Sequence, residues 1–173
     1  VIASRLDFKV WRKFAFWFFL FAITLNILVL IPGIGFEHGG ARRWIRLGTL
    51  SFQPSEILKL AFVFYFAAWA ASVKDRIKAF RSGLLPLLIL LAIISVLLLQ
   101  QPDTDNLIII ITAGVAMFVA AGGKWRYVLL MVLSGMIGLG LLVYMKPYLR
   151  DRVFTFFNPQ ADALGASYQI QQS

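Results

Sequence analysis

Apolar residues run along this chain in long blocks rather than in alternation, and five blocks predict membrane-crossing helices. Residues 14–31, 82–99 and 127–145 carry no charge; 54–73 carries Glu56 and Lys59 near its start; 105–121 is shorter and opens on an acid. At a rise of about 1.5 Å per residue, segments of this length match a hydrocarbon core of about 30 Å. No barrel-like alternation is present, so helices must satisfy the backbone inside lipid. The expected fold class is all-α: a polytopic membrane helix bundle, one membrane domain over 1–173, with an outer loop at 32–53 and an outer amphipathic tail at 146–173.

Composition sharpens this reading. Of 173 residues, 60% are hydrophobic and 14% charged, well outside the usual soluble mix. Cysteine is absent, which removes disulfides and thiolate ligands, and a lone His38 makes no metal site by itself. The start, "VIASRLDFKVWRK", has neither a methionine nor the order of a signal peptide, and the chain stops at "ASYQIQQS"; a fragment of a larger polytopic protein is expected.

Basic residues then orient the spans. Arg5, Lys9, Arg12 and Lys13 precede the first, Lys74, Arg76, Lys78 and Arg81 follow the second, and Lys124 and Arg126 follow the fourth. Those segments are expected on the cytoplasmic side, with "QQPDTDN", the 32–53 loop and the tail outside. Arg42, Arg43 and Arg46, with Lys146, Arg150 and Arg152, are the exceptions, lying on the outer side. Two readings stand: anchoring at the lipid interface, with Trp44, Tyr144 and Tyr148 as belt residues, or an anionic ligand on the outer face.

Three connections carry the chemistry. In "IPGIGFEHGGARRWIRLGTLSFQPSE", glycines and a proline give a turn-rich start, and Arg42, Arg43, Trp44 and Arg46 alternate with apolar positions as an interfacial segment would. Guanidinium forks suit a pyrophosphate-linked lipid. Glu37 and His38 read as solvated loop residues. In "QPSEILK", Pro54 suits a first helical turn, placing Glu56 near the positive end of the helix dipole and Lys59 one turn on. That pair reads either as an ion pair that only fixes packing or as the lining of a polar cavity. In "LLLQQPDTDNLIIII", Gln101 and Pro102 end the third span, and Asp105 or Asn106 is expected to cap the fourth; Asp103 with Asp105 as a divalent-cation site is the weaker reading. Beyond Lys146, Tyr148, Leu149, Val153, Phe156 and Phe157 recur at helical spacing, predicting an amphipathic outer helix ended by "NPQAD".

Taken in order, "GARRWIRLG" (40–48), "QPSEILK" (53–59), "QPD" (101–103) and "NPQADALGASYQIQQS" (158–173) resemble the SEDS family of bacterial cell-wall proteins, which includes FtsW, RodA and SpoVE. The resemblance covers essentially the whole chain, and "LIPGIG" before "GARRWIRLG" is closer to the FtsW branch than to RodA. It implies a bundle of about ten helices, of which this chain supplies the middle five. It also implies polymerisation of lipid II into glycan strands beside a class B penicillin-binding protein, in the bacterial cytoplasmic membrane, N-terminal end inside and C-terminal end outside, with no nucleic acid involved. Lipid II flipping and a non-catalytic scaffold for the transpeptidase are the alternatives.

Carried over by position, the resemblance makes Glu56, Lys59, Gln53 and Asp103 residues of a functional cavity, and Arg43, Arg42, Trp44 and Arg46 contacts for the lipid pyrophosphate. It implies no catalytic base within these residues, since the family aspartate given that role falls beyond Ser173, and no identified metal ligand, although Mg or Mn could assist the leaving group. Two departures stand out. The family continues Q-P-D with a variable residue and Gly-Thr where this chain has Asp105 and Asn106, and many members carry a base near the place of Ser51 and Phe52.

Overall fold

The computed structural model describes residues 8–38, 41–48, 50–145 and 150. The amphipathic element expected over 146–173 lies outside them, apart from Arg150. The chain divides into two compact units, Val1–Tyr127 and Val128–Ser173.

In the first unit, α1 (Phe8–Val29) leads to three short strands, β1 (Gly35–His38), β2 (Ala41–Leu47) and β3 (Leu50–Phe52), and then to α2 (Pro54–Val73). α3 (Leu85–Gln100) and α4 (Thr104–Ala120) follow. α5 (Trp125–Met145) begins in this unit and makes up most of what is described of the second. The helices follow from runs of Leu, Ile, Phe and Ala with no interior proline. Two hydroxyls inside the spans return their bonds to their own helix: Thr24 Oγ1 donates to the Leu20 carbonyl at 2.9 Å and Ser95 Oγ to that of Leu91 at 2.6 Å.

α1 packs along α2, α2 also meets α4, and α4 lies against α3. The contact face of α2 repeats every fourth residue, with Leu58, Phe62 and Phe66 fully buried, while α3 contributes Leu87, Leu91, Ile94 and Leu98. Phe19 of α1 stacks on Tyr65 of α2 with ring centroids 5.0 Å apart. Gly114 sets the approach of α4, since a Cβ there would stand 3.1 Å from Phe62 Cζ and 3.3 Å from Leu87 Cδ1. Between α2 and α3 the chain reverses through a 3₁₀ turn, Lys74–Lys78, and a wide π turn, Phe80–Leu84. Gly83 makes that reversal fit, because a side chain there would overlap the Ile77 carbonyl oxygen at 1.8 Å.

Large apolar side chains cover the outside as well as the core: Trp17, Leu60, Val96 and Ile108 are all more than half exposed. Such a surface suits lipid rather than water. The segments Arg12–Val29, Pro54–Lys78, Phe80–Gln100 and Trp125–Met145 are long and apolar enough to span a bilayer, and α4 is apolar but shorter.

Two sequence expectations change. The 32–53 loop, read as turn-rich and interfacial, forms a three-stranded antiparallel sheet in the order β1-β2-β3. The cap expected at Asp105 or Asn106 falls instead on Asp103, with both other residues inside the first turn of α4. The turn at Gln101 and Pro102, closed by the Asp103 amide donating to the Leu98 carbonyl at 2.9 Å, brings Asp103 to that position.

Candidate functional site

One end of the bundle gathers the polar motifs. There, β1 and β2 pair Phe36 with Trp44 and then Glu37 with Arg42, so Arg43 is the surplus residue of a β-bulge. Bulges bend a strand and re-aim a side chain. Arg43 uses that turn to reach the α3–α4 connection: its Nε donates to the Gln101 carbonyl at 3.0 Å and its Nη2 to the Pro102 carbonyl. The guanidinium fork expected to meet a pyrophosphate is therefore turned, in part, onto backbone oxygens. Arg46, more exposed, lies over the Phe36 ring at 4.2 Å, a cation–π contact. Arg42 and Trp44 are half-buried on the same strand.

Beneath the sheet lies a buried polar knot that joins α1, α2 and the α3–α4 connection. Asn26 Nδ2 donates to the carbonyls of Ala22 at 2.8 Å and Pro54 at 3.2 Å. Gln101 Nε2 donates to the Asn26 backbone oxygen at 3.0 Å and to Asn26 Oδ1 at 3.3 Å. Asp103, 2% exposed, accepts at Oδ2 from Gln53 Nε2 at 2.9 Å and at both oxygens from Asn106 Nδ2, at 3.2 and 3.0 Å. The same Asn106 amide donates to Ser55 Oγ at 3.0 Å. A carboxylate this deep requires such donors, since burial without them costs several kcal/mol, roughly, even for a polar group that is neutral. Asn26 took no part in the sequence reading, which used Gln101 as the end of the third span and Ser55 and Gln101 as motif positions; a lone amide within an apolar run is the signal that finds Asn26.

This knot divides "QPSEILK" into two parts. Gln53 and Ser55 point to the start of α4 and the Pro54 carbonyl faces α1, which anchors the beginning of α2. Glu56 and Lys59 are left to face elsewhere. Lys59 Nζ meets both Glu56 carboxylate oxygens at 2.9 Å, with Lys59 23% and Glu56 57% exposed. The structure thus brings Gln53 and Asp103 into direct contact, joins Glu56 to Lys59, and holds Arg43 above Asp103 through the Gln101–Pro102 backbone.

A cavity of about 700 Å³ lies at the opposite end of this unit, between Ala67, Ala71, Lys74 and Lys78 on one side and Met117 and Ala121 on the other. Neither Glu56 nor Lys59 lines it. Among the described residues, no three His, Asp or Glu side chains converge on one point. Amide donors occupy Asp103 and Lys59 covers both oxygens of Glu56, so neither carboxylate stands open to a divalent cation.

With this geometry in view, the chain can be compared with known proteins. The FtsW/RodA/SpoVE family model, "Cell cycle protein", matches residues 1–173. The chain is 37% identical over 171 residues to the probable peptidoglycan glycosyltransferase FtsW of Aromatoleum aromaticum, covering 99% of this chain and 42% of that protein. It is 40% identical over 174 residues to the protein of the same name from Saccharophagus degradans, covering 45% of its length. The chain thus spans less than half the length of these relatives. Among solved structures, it aligns at a TM-score of 0.76 and 29% identity with a chain described under "Structural coordination of polymerization and crosslinking by a peptidoglycan synthase complex", over 98% of this chain and 49% of that one. The rod shape determining protein RodA of Thermus thermophilus aligns at 0.64 and 29% identity, over 79% of this chain and 43% of that one.

Proposed function

Since the chain belongs to the FtsW/RodA/SpoVE family of cell cycle proteins, we propose that the protein of which it forms part is a peptidoglycan glycosyltransferase that polymerises lipid II in the bacterial cytoplasmic membrane. The observation that carries this reading is the anchored start of α2, where buried bonds at Gln53 and Ser55 fix the helix and leave the Glu56–Lys59 pair open beside the polar knot. An ion pair held in a fixed place at a helix start is a preorganised electrostatic element.

In the proposed reaction, a sugar hydroxyl attacks the anomeric carbon of a lipid-linked donor. The bond to the pyrophosphate oxygen breaks, and a base takes the hydroxyl proton. Negative charge gathers on the departing pyrophosphate, next to which Arg42, Arg46 and the uncommitted N–H groups of Arg43 would serve as donors, with Trp44 shaping the interfacial wall. Lys59 and Glu56 set the electrostatic potential of the donor site proposed at the sheet end. No described residue is assigned as the base: Asp103 is enclosed, and its oxygens are already engaged. No step is routed through a cation.

A class B penicillin-binding protein is the proposed partner. Support comes from the solved relative that couples polymerisation to crosslinking. In the proposed orientation the sheet end faces outward and Lys74–Arg81 faces the cytoplasm.

The test is lipid II polymerisation by the intact protein in liposomes, with and without the class B partner. Glycan strands support the transferase. Headgroup translocation without strands would replace it with a flippase, and restored partner activity without either would leave a scaffold.

A further inference from the structure

We propose that Asn106 is a positioning residue for the Glu56–Lys59 pair; this rests on the transferase reading above for what the pair does, but not for how it is held.

The argument begins with a closed turn. The Glu56 amide bonds back to the Gln53 carbonyl at 3.1 Å, so residues 53–56 move as one unit at the start of α2. Both flanks of that unit are held by one side chain. Asn106 Nδ2 donates directly to Ser55 Oγ at 3.0 Å, the residue next to Glu56. It also donates to both oxygens of Asp103, whose Oδ2 in turn accepts from Gln53 Nε2 at 2.9 Å. One amide therefore fixes the unit at Ser55 and, through Asp103, at Gln53.

Burial gives these bonds weight. Ser55 is 0%, Asp103 2% and Asn106 7% exposed, so water does not replace a lost donor. From the other side, Asn26 holds the Pro54 carbonyl at 3.2 Å. The start of α2 is thus held between α1 and α4, and a rotation that moved Glu56 would break bonds to both. Asn106 sits in the first turn of α4 and makes none of the ion-pair contacts itself, so its influence on Glu56 passes through Ser55 and Asp103.

Residue chemistry separates the candidates for this place. Leucine has a similar size and no donor. Threonine keeps one donor and reaches one partner, so it should sustain part of the arrangement.

The experiment uses the intact protein in lipid nanodiscs and compares wild type, Asn106→Leu and Asn106→Thr. Amide hydrogen exchange over residues 55–58 is the first measurement. Asn106→Leu should speed exchange there by on the order of tenfold, the size expected for one lost buried hydrogen bond, while α3 keeps its wild-type rates. Asn106→Thr should fall between the two. The second measurement is strand synthesis: Asn106→Leu should lower kcat about tenfold with the KM for lipid II within about twofold, and in a Glu56→Gln background it should cost less than about twofold more. Unchanged exchange at residues 55–58 overturns the proposal. So does faster exchange throughout the bundle with equal losses in both backgrounds, which marks a general stabiliser. If Asn106→Leu does not assemble, Asn106→Thr carries the same measurements and must show the local effect. A wild-type protein that makes no strands refutes the transferase, and exchange at residues 55–58 then decides the positioning alone.

Discussion

At the scale of single residues, the site separates charges that hold the structure from charges that remain open. Arg43 belongs chiefly to the first kind. Arg43→Lys replaces a planar fork with a point charge that cannot span two adjacent carbonyls at once. We expect it to lower stability by about 1.5–3 kcal/mol, the range for a hydrogen bond from a charged donor, read as a fall in the thermal midpoint of the intact protein. Equal midpoints would mean that the bonds to Gln101 and Pro102 contribute nothing. Glu56 and Lys59 belong to the second kind. An ion pair this exposed adds only about 0–1 kcal/mol to stability. Glu56→Gln should therefore leave the thermal midpoint nearly unchanged while slowing strand synthesis at least about tenfold; full activity would remove the pair from the proposed mechanism.

At the scale of elements, close packing of α4 on α2 and α3 depends on Gly114. Gly114→Val would press two methyl groups into Phe62 and Leu87, and we expect a loss of about 1–3 kcal/mol from overpacking, measured by thermal unfolding in detergent. The helices were legible in the sequence because uninterrupted apolar runs are long and Pro54 marks where α2 starts. The sheet was missed, although its signals were present. His38 pairs with Ala41 and Leu47 with Leu50, the close spacing of tight hairpins, and Gly48 takes φ +63°. Arginine-rich strands of seven residues or fewer give little periodic signal, and the bulge at Arg43 breaks what there is. The cap was misplaced for a related reason. Several acids and amides in "DTDN" suit a helix start equally well, and only the reversal at Gln101 and Pro102 selects Asp103. Glu56 with Lys59 was readable from spacing along one helix. Gln53 with Asp103, 50 residues apart, was reachable only through resemblance.

At the scale of the whole molecule, apolar surface surrounds the described helices and polar side chains collect at the sheet end. Basic residues mark the other end, at Lys74, Arg76, Lys78 and Arg81. We expect a periplasmic reporter fused within residues 101–106 to be active, and the same reporter within residues 74–81 to be silent; the reverse pattern would invert the proposed orientation.

The polar knot also imposes an order in time. Asn26 lies in α1, yet Pro54, which its amide meets, comes 28 residues later, and Gln101, which bonds back to Asn26, comes 75 residues later. While α2 and α3 are still emerging from the ribosome, α1 must hold that amide with only the Ala22 carbonyl for company. The knot therefore closes only after α3 has been inserted, and nascent chains stopped before that point would carry an unfinished polar surface open to cellular quality control.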